Sequence, residues 1–173
     1  MSRTYDAVVT VSASVRVATL DDLDRLQALR EEVAVDLLQR GIPWNPHATS
    51  RQKLEEWVGQ STIWVATSGD ELAGMVAVWW ADPTGYWPKA DLGVYVHDLL
   101  VSPARKGQGV GALLLRWVES FAEGRGRKLV RLDCEAANLR LCRYYQDLGY
   151  SQVGEHAGSA LFEKRFSSRD GRI

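Results

Sequence analysis

Three short stretches of this 173-residue chain carry residue types that can do chemistry. In Val101-Ser-Pro-Ala-Arg-Lys-Gly-Gln-Gly-Val-Gly-Ala112, Gly107, Gly109 and Gly111 alternate behind the basic pair Arg105 and Lys106. Alternating glycines leave backbone N–H groups open to close approach, and the helix after them aims its positive dipole end at the same spot. That combination suits a pyrophosphate. Next, Asn138-Leu-Arg-Leu-Cys-Arg-Tyr-Tyr145 puts phenolic hydroxyls on a helix-like segment closed by Gly149-Tyr150. Finally, His97-Asp98 stands just ahead of Leu99-Leu100-Val101. An imidazole is the side chain whose ordinary pKa suits proton transfer near neutrality.

The elements that must position these groups are legible from periodicity and punctuation. Val15-Arg-Val-Ala alternates as a strand. Thr19-Leu-Asp-Asp then signals a helix start, and Leu23, Leu26, Leu29, Val33 and Leu37 recur at helical spacing, giving a first helix over about 20–39. A two-proline loop carrying Trp44 leads to a second helix over about 50–58. Strands are expected at 62–66 and 72–80, turning at Ser68-Gly-Asp, then at 92–101 after a loop with Tyr86 and Trp87. A helix over 109–123, a strand over 128–134, a helix over 139–148 and closing strands at 151–153 and 160–166 complete a mixed α/β domain over 15–166. Residues 1–14 read as a flexible leader and 167–173 as a flexible tail.

Composition removes several classes. A net charge of −1 gives no reason to expect a nucleic-acid binder, whose footprint would be a strongly basic face. No apolar run approaches a membrane span and the start lacks a signal peptide, so a cytoplasmic protein is expected. Cys134 and Cys142 are too few for a disulfide framework and lack metal-ligand spacing, so buried reduced thiols and no metal are expected.

Formally, Gly107-x-Gly-x-x-Ala112 matches a dinucleotide fingerprint, with Asp133 at the end of the next strand. Ser102 to Lys106 separate it from its strand, however, and too little chain remains for further βα units. A nucleotide-hydrolase loop would need Gly-Lys-Ser/Thr, which is missing. The loop instead resembles the Arg/Gln-x-x-Gly-x-Gly/Ala motif of the GNAT acyl-CoA-dependent N-acetyltransferases, with Lys106 where Arg or Gln is usual. Asn138, Tyr145 and Gly149-Tyr150 keep the spacing of that family's closing motif. The likeness extends over roughly 15–166.

The resemblance implies a twisted, mostly antiparallel central sheet with splayed fourth and fifth strands, flanked by about four helices. It implies acetyl-CoA as co-substrate. The main chain of Leu99, Leu100 and Val101 would pair with the pantetheine arm, and Arg105, Lys106, Gly107, Gln108, Gly109, Val110, Gly111 and Ala112 would hold the pyrophosphate. Asn138 would hydrogen-bond the pantetheine amides, its other reading being a helix N-cap. Tyr145 matches the tyrosine beside the thioester sulfur and is the expected general acid, with Tyr144 packing beside it. His97 matches a histidine that faces the amine in one branch of the family and is the expected base. Asp98 points away by strand alternation unless a bulge breaks the parity, and is the reserve base or orienter.

Seven tryptophans are available for an acceptor pocket. Trp44, Trp79, Trp80 and Trp87 fall in segments that wall that pocket in the family. With Asp82, Glu31 or Glu32 nearby they would suit a cationic or hydrophobic amine, including by cation–π contact. Trp57, Trp64 and Trp117 are assigned to the core, Arg140 and Arg143 to a solvated helix face, and His47 and His156 to loops without a role. The expectation is an N-acetyltransferase acting on a small-molecule amine as monomer or homodimer. The alternatives are a protein lysine or N-terminal acetyltransferase, and a non-catalytic acyl-CoA-binding module.

Overall fold

The computed structural model describes residues 13–42, 44–82, 84–87 and 93–166. Residues 1–12 of the expected leader and the whole expected tail, 167–173, therefore lie outside the described residues, while Ser14 of the expected leader belongs to the first strand. By its internal contacts the chain forms two compact units: Met1–Val76 with Leu99–Leu114, and Ala77–Asp98 with Leu115–Ile173.

In the first unit, strand β1 (Ser14–Val17) pairs antiparallel with β2 (Ile63–Ser68), in the register Val15↔Ala66. Strands β3 (Glu71–Trp79) and β4 (Gly93–Val101) come next in the order β1-β2-β3-β4. Helix α1 (Leu23–Gln39) is preceded by a 3-10 turn over Leu20–Asp22. Its start is held by Asp22, whose carboxylate accepts the Thr19 N–H (2.9 Å) and two N–H groups of Arg16 (2.7 and 2.8 Å). These bonds outweigh the cost of burial and draw the Asp22 pKa from 3.8 down to about 2, Arg16 contributing most. Leu23, Leu26, Leu29, Val33 and Ala34 form the buried stripe of α1 at three- and four-residue spacing. Helix α2 (Arg51–Gly59) starts at Ser50, whose hydroxyl accepts the Lys53 N–H (3.2 Å), and buries Leu54 and Val58.

In the second unit the strand order is β4, β5 (Leu129–Glu135), β7 (Ser159–Arg165), β6 (Ser151–His156). Only β4 and β5 run parallel; β5–β7 and β6–β7 are antiparallel, with an irregularity between Gln152 and Gly154. Helix α3 (Val110–Glu123) buries Leu115, Val118 and Ala122 here, and α4 (Leu139–Asp147) buries Cys142 and Tyr145. One charged pair is sealed inside: Arg131 meets Glu163, its partner in the β5–β7 register, at 3.0 Å and donates to the Tyr95 hydroxyl at 2.9 Å. Glu163 also pairs with Arg165 at 2.6 Å, so it is removal of Glu163 that would leave the buried Arg131 without its counter-ion, a loss of about 3–5 kcal/mol.

Among the described residues, seven strands with β4 and β5 parallel and four α-helices realise the mixed α/β architecture expected. β6 is longer than the periodicity predicts, so His156 ends a strand instead of lying in a loop. Its ring stacks on Tyr86 with centroids 4.6 Å apart. Every residue of β6 is exposed, so it carries no apolar alternation from which its length could be read.

Candidate active site

The glycine loop belongs to the first unit. Beyond β4, the Ser102 N–H bonds the Ala73 carbonyl (2.9 Å), and Pro103–Arg105 make one 3-10 turn that delivers the chain to Lys106. Gly107 and Gly109 then adopt φ of +74° and +82°, the left-handed region that side chains disfavour. A Cβ on either would meet nothing within 4 Å, so the space beside this backbone is open. α3 begins directly after, and the N–H groups of a helix's first turn lack intrahelical partners. Gly111 is a buried residue of that turn, not a third left-handed position. Gln108 braces the loop by donating to the Ala104 carbonyl (3.2 Å), Val110 is buried and Ala112 half-buried.

Both basic residues of the loop carry counter-ions. Arg105 pairs with Glu71 at 2.6 Å, and Lys106 pairs with Asp36, which also binds Arg40 at 2.8 Å. The hydrogen bond from Lys106 is the main reason the Asp36 carboxyl sits below its ordinary pKa. Such exposed pairs are worth at most about 1 kcal/mol, so they hold the loop without preventing either cation from turning to an incoming anion.

The strand leading into the loop is shaped by a residue the motifs do not include. Leu100 is buried, with Leu99 and Val101 half-buried on either side. The Leu100 carbonyl lies so close to Gly74 in β3 that a Cβ there would stand 2.7 Å from it, and only 3.1 and 3.2 Å from Val110 and Leu114. A lone glycine amid the apolar run of β3 was the available signal for this approach.

In the second unit the parallel register of β4 and β5 runs from Gly93↔Leu129 to Val96↔Leu132 and ends there. His97 is the next residue of β4 and Asp133 the next of β5. Asp98 then turns to φ +46°, so regular strand alternation is broken at that residue. Burial lowers the His97 pKa, against the opposing charges of Asp133, Asp98 and Asp82 in that order. Asp82 is committed to its own loop, where it accepts the N–H groups of Thr84 (2.8 Å) and Trp87 (2.9 Å).

Tyr145 is 5% exposed and packs on Tyr144, Tyr150 and Phe162 with ring centroids 5.7, 6.2 and 5.6 Å away. Burial holds its pKa far above the ordinary phenol value. Among the described residues nothing hydrogen-bonds its hydroxyl. The Asn138 side-chain oxygen caps α4 by accepting the Leu141 N–H (3.2 Å), so the cap reading holds for that oxygen. Arg140 and Arg143 are exposed, beside Tyr144 on a shallow depression of the surface. Cys134 and Cys142 are buried free thiols 3.7 Å apart, and burial raises the Cys134 pKa to about 12.

The tryptophans are distributed differently from the expected cage. Trp44 lies in the first unit, beside an apolar groove with Ala34, Val35 and Leu38, and the Arg30 guanidinium stands 5.0 Å from its ring centre. Trp87 packs with Tyr95, Trp79 and Tyr86 and carries Arg131 at 4.9 Å. Trp80 lies against Phe121, with Arg125 at 5.8 Å and Arg127 at 5.0 Å. Three of the four candidate rings thus already carry a guanidinium of this chain, which is a physical reason against their receiving a second cation. Glu31 and Glu32 are exposed on α1. Trp57, Trp64 and Trp117 are half-buried instead of core; large indoles keep an edge at the surface, and Trp117 stacks on Phe121 at 4.8 Å.

The model of the acetyltransferase (GNAT) family matches residues 26–150. The chain belongs to the GNAT acetyltransferase family. It is similar to an uncharacterised N-acetyltransferase, YesJ, of Bacillus subtilis, 28% identical with 87% of this chain and 89% of the relative covered. It is also similar to the N-alpha-acetyltransferase RimI of Mycobacterium tuberculosis, 29% identical over 83% and 85%. The PaiA N-acetyltransferase of Thermoplasma acidophilum, solved with coenzyme A, shares the fold at a TM-score of 0.75 and 17% identity, over 90% of this chain and 99% of that one.

This GNAT protein is therefore an acyltransferase of a family that uses acetyl-CoA. The loop fits that molecule: two left-handed glycines face open space beside a helix N-terminus, with two cations at hand. No helix among the described residues is long and apolar enough to cross a membrane. The family motifs left out Asp36, Glu71, Gly74 and the ring-covering arginines, because each acts through a partner distant in sequence.

Proposed function

We propose that this GNAT enzyme transfers the acetyl group of acetyl-CoA to a primary amine of a small molecule, by direct attack in a ternary complex. The observation that carries the reading is His97, a half-buried imidazole at the end of the β4–β5 register, kept below its ordinary pKa by burial against the charges of Asp133, Asp98 and Asp82. A neutral imidazole can accept a proton, and the carboxylates favour the ammonium that brings it.

Acetyl-CoA, when bound, supplies an activated thioester; Gly107 to Ala112, Arg105 and Lys106 would hold its pyrophosphate and the backbone of Leu99 to Val101 its pantetheine arm. His97 takes the proton from the acceptor's ammonium and frees the lone pair. The nitrogen bonds the carbonyl carbon, the carbon–sulfur bond breaks with its electron pair on sulfur, and the nitrogen releases its second proton to solvent as the amide forms. Tyr145 then gives its proton to that sulfur. Burial keeps Tyr145 protonated, so its hydroxyl is a proton donor and not a base, and solvent restores the proton it gives.

A second reading, acetylation of a protein N-terminus, is favoured by the likeness to RimI. The test monitors release of CoA thiol from acetyl-CoA with a panel of small primary amines beside peptides bearing free N-termini. Higher kcat/KM for a small amine supports the first reading, and turnover of peptides alone replaces it with the second. CoA binding without turnover of any amine would mark a non-catalytic module.

A further inference from the structure

The sequence singles out Asp133 only as the acidic partner of a dinucleotide fingerprint, a reading its context rejects. The fold leaves this carboxylate without that role and in a telling position. Register partners of parallel strands present their side chains on the same face, and Tyr95↔Arg131 confirms it by the 2.9 Å bond between the two side chains. Two residues along each strand come His97 and Asp133, on that face again and just past the point where β4–β5 pairing ends. Asp133 is half-buried, and its carboxylate has no hydrogen bond or ion pair among the described residues. Among the carboxylates that influence His97, Asp133 acts most strongly, and its charge also reaches Tyr145 and Cys134. Yet His97 and Asp133 do not bond each other, so two complementary groups share a face with their mutual contact unmade.

We propose that Asp133 receives the acceptor's ammonium group and holds it against His97, which makes the preferred substrate an amine that binds as its cation. An ammonium has three N–H donors: one meets the Asp133 carboxylate and another the His97 imidazole nitrogen, along which the proton leaves. Asp82 is spent on Thr84 and Trp87, and Asp98 sits at the kink. The guanidinium near Trp87 further directs the ammonium to carboxylates and away from that ring.

This inference rests on the amine-acceptor reading, and calorimetry on the CoA-loaded protein separates the two. The probes are 2-phenylethylamine, spermidine and 2-phenylethanol, the uncharged isostere of the first. A charged hydrogen bond is worth about 1.5–3 kcal/mol, so Asp133→Asn should weaken binding of 2-phenylethylamine by roughly ten- to a hundredfold. CoA affinity should stay within about twofold, and Asp133→Glu should restore much of the loss. In the wild type, 2-phenylethanol should bind about tenfold or more weaker than the amine, a comparison that stands even if Asp133→Asn does not fold. The proposal is overturned if Asp133→Asn binds CoA and the amine as wild type does, or if the alcohol binds as well as the amine. Wild-type protein that binds CoA but none of the amines would overturn the acceptor reading itself, and this inference with it.

Discussion

Gly74→Ala tests whether the strand before the glycine loop is set by one close backbone approach. The added methyl would stand 2.7 Å from the Leu100 carbonyl oxygen, about 0.7 Å short of the 3.4 Å at which ordinary contact begins. It would also press on Val110 at 3.1 Å and Leu114 at 3.2 Å, which are 1% and 0% exposed and cannot swing aside. Overpacking of this kind costs about 1–3 kcal/mol, more than the ~0.5–1 kcal/mol that alanine gains over glycine within a strand. For a chain of this size each kcal/mol moves Tm by about 2–4 °C, so a fall of roughly 2–10 °C is expected. The displaced groups are the Leu100 main chain and the start of α3, so CoA affinity should fall by about tenfold as well. Gly154→Ala is the control: its methyl meets nothing within 4 Å and its φ is not positive, so Tm should hold or rise slightly. Scanning calorimetry and CoA titration of both variants decide. If Gly74→Ala melts and binds like Gly154→Ala, the close approach of Leu100 does not shape the site.

Asp22→Asn should cost roughly 2 kcal/mol at neutral pH, because the folded Asp22 has a pKa of about 2 against 3.8. That stability is present above the unfolded pKa and lost as pH falls toward 2; urea unfolding should show a steeper acid decline in wild type than in the variant, and parallel declines would refute it. Gly109→Asp should weaken CoA binding by about a hundredfold or more, since it sets a carboxylate where an anion is expected, and the side chain at φ +82° should lower Tm by about 2–4 °C as well. Unchanged affinity in calorimetry would move the pyrophosphate elsewhere. Tyr145→Phe should lower kcat by about 10²–10⁴ while leaving CoA affinity and Tm near wild type, the hydroxyl having no bond to lose within the described fold. A variant with full turnover would reduce Tyr145 to a packing residue.

Local order was written in the chain wherever one element buries one face. The leucine stripe of α1, the alternation of β1 and the glycine-punctuated start of α3 each report a single partner surface, and their bounds agree with periodicity to within three residues. The glycine loop was legible for the same reason, since left-handed backbone and a helix start are local properties of Gly107, Gly109 and the first turn of α3. Tertiary structure decided whatever depends on two distant stretches. It ended the β4–β5 register at Val96↔Leu132 and turned Asp98 to positive φ. It set Arg30, Arg131 and Arg127 near indoles that sequence alone offered to a substrate. It also set Asp133 near His97, with no hydrogen bond or ion pair to its carboxylate among the described residues. Periodicity can say that a side chain faces inward; only packing says which charge meets it, because Coulomb and ring interactions act across space and not along the chain.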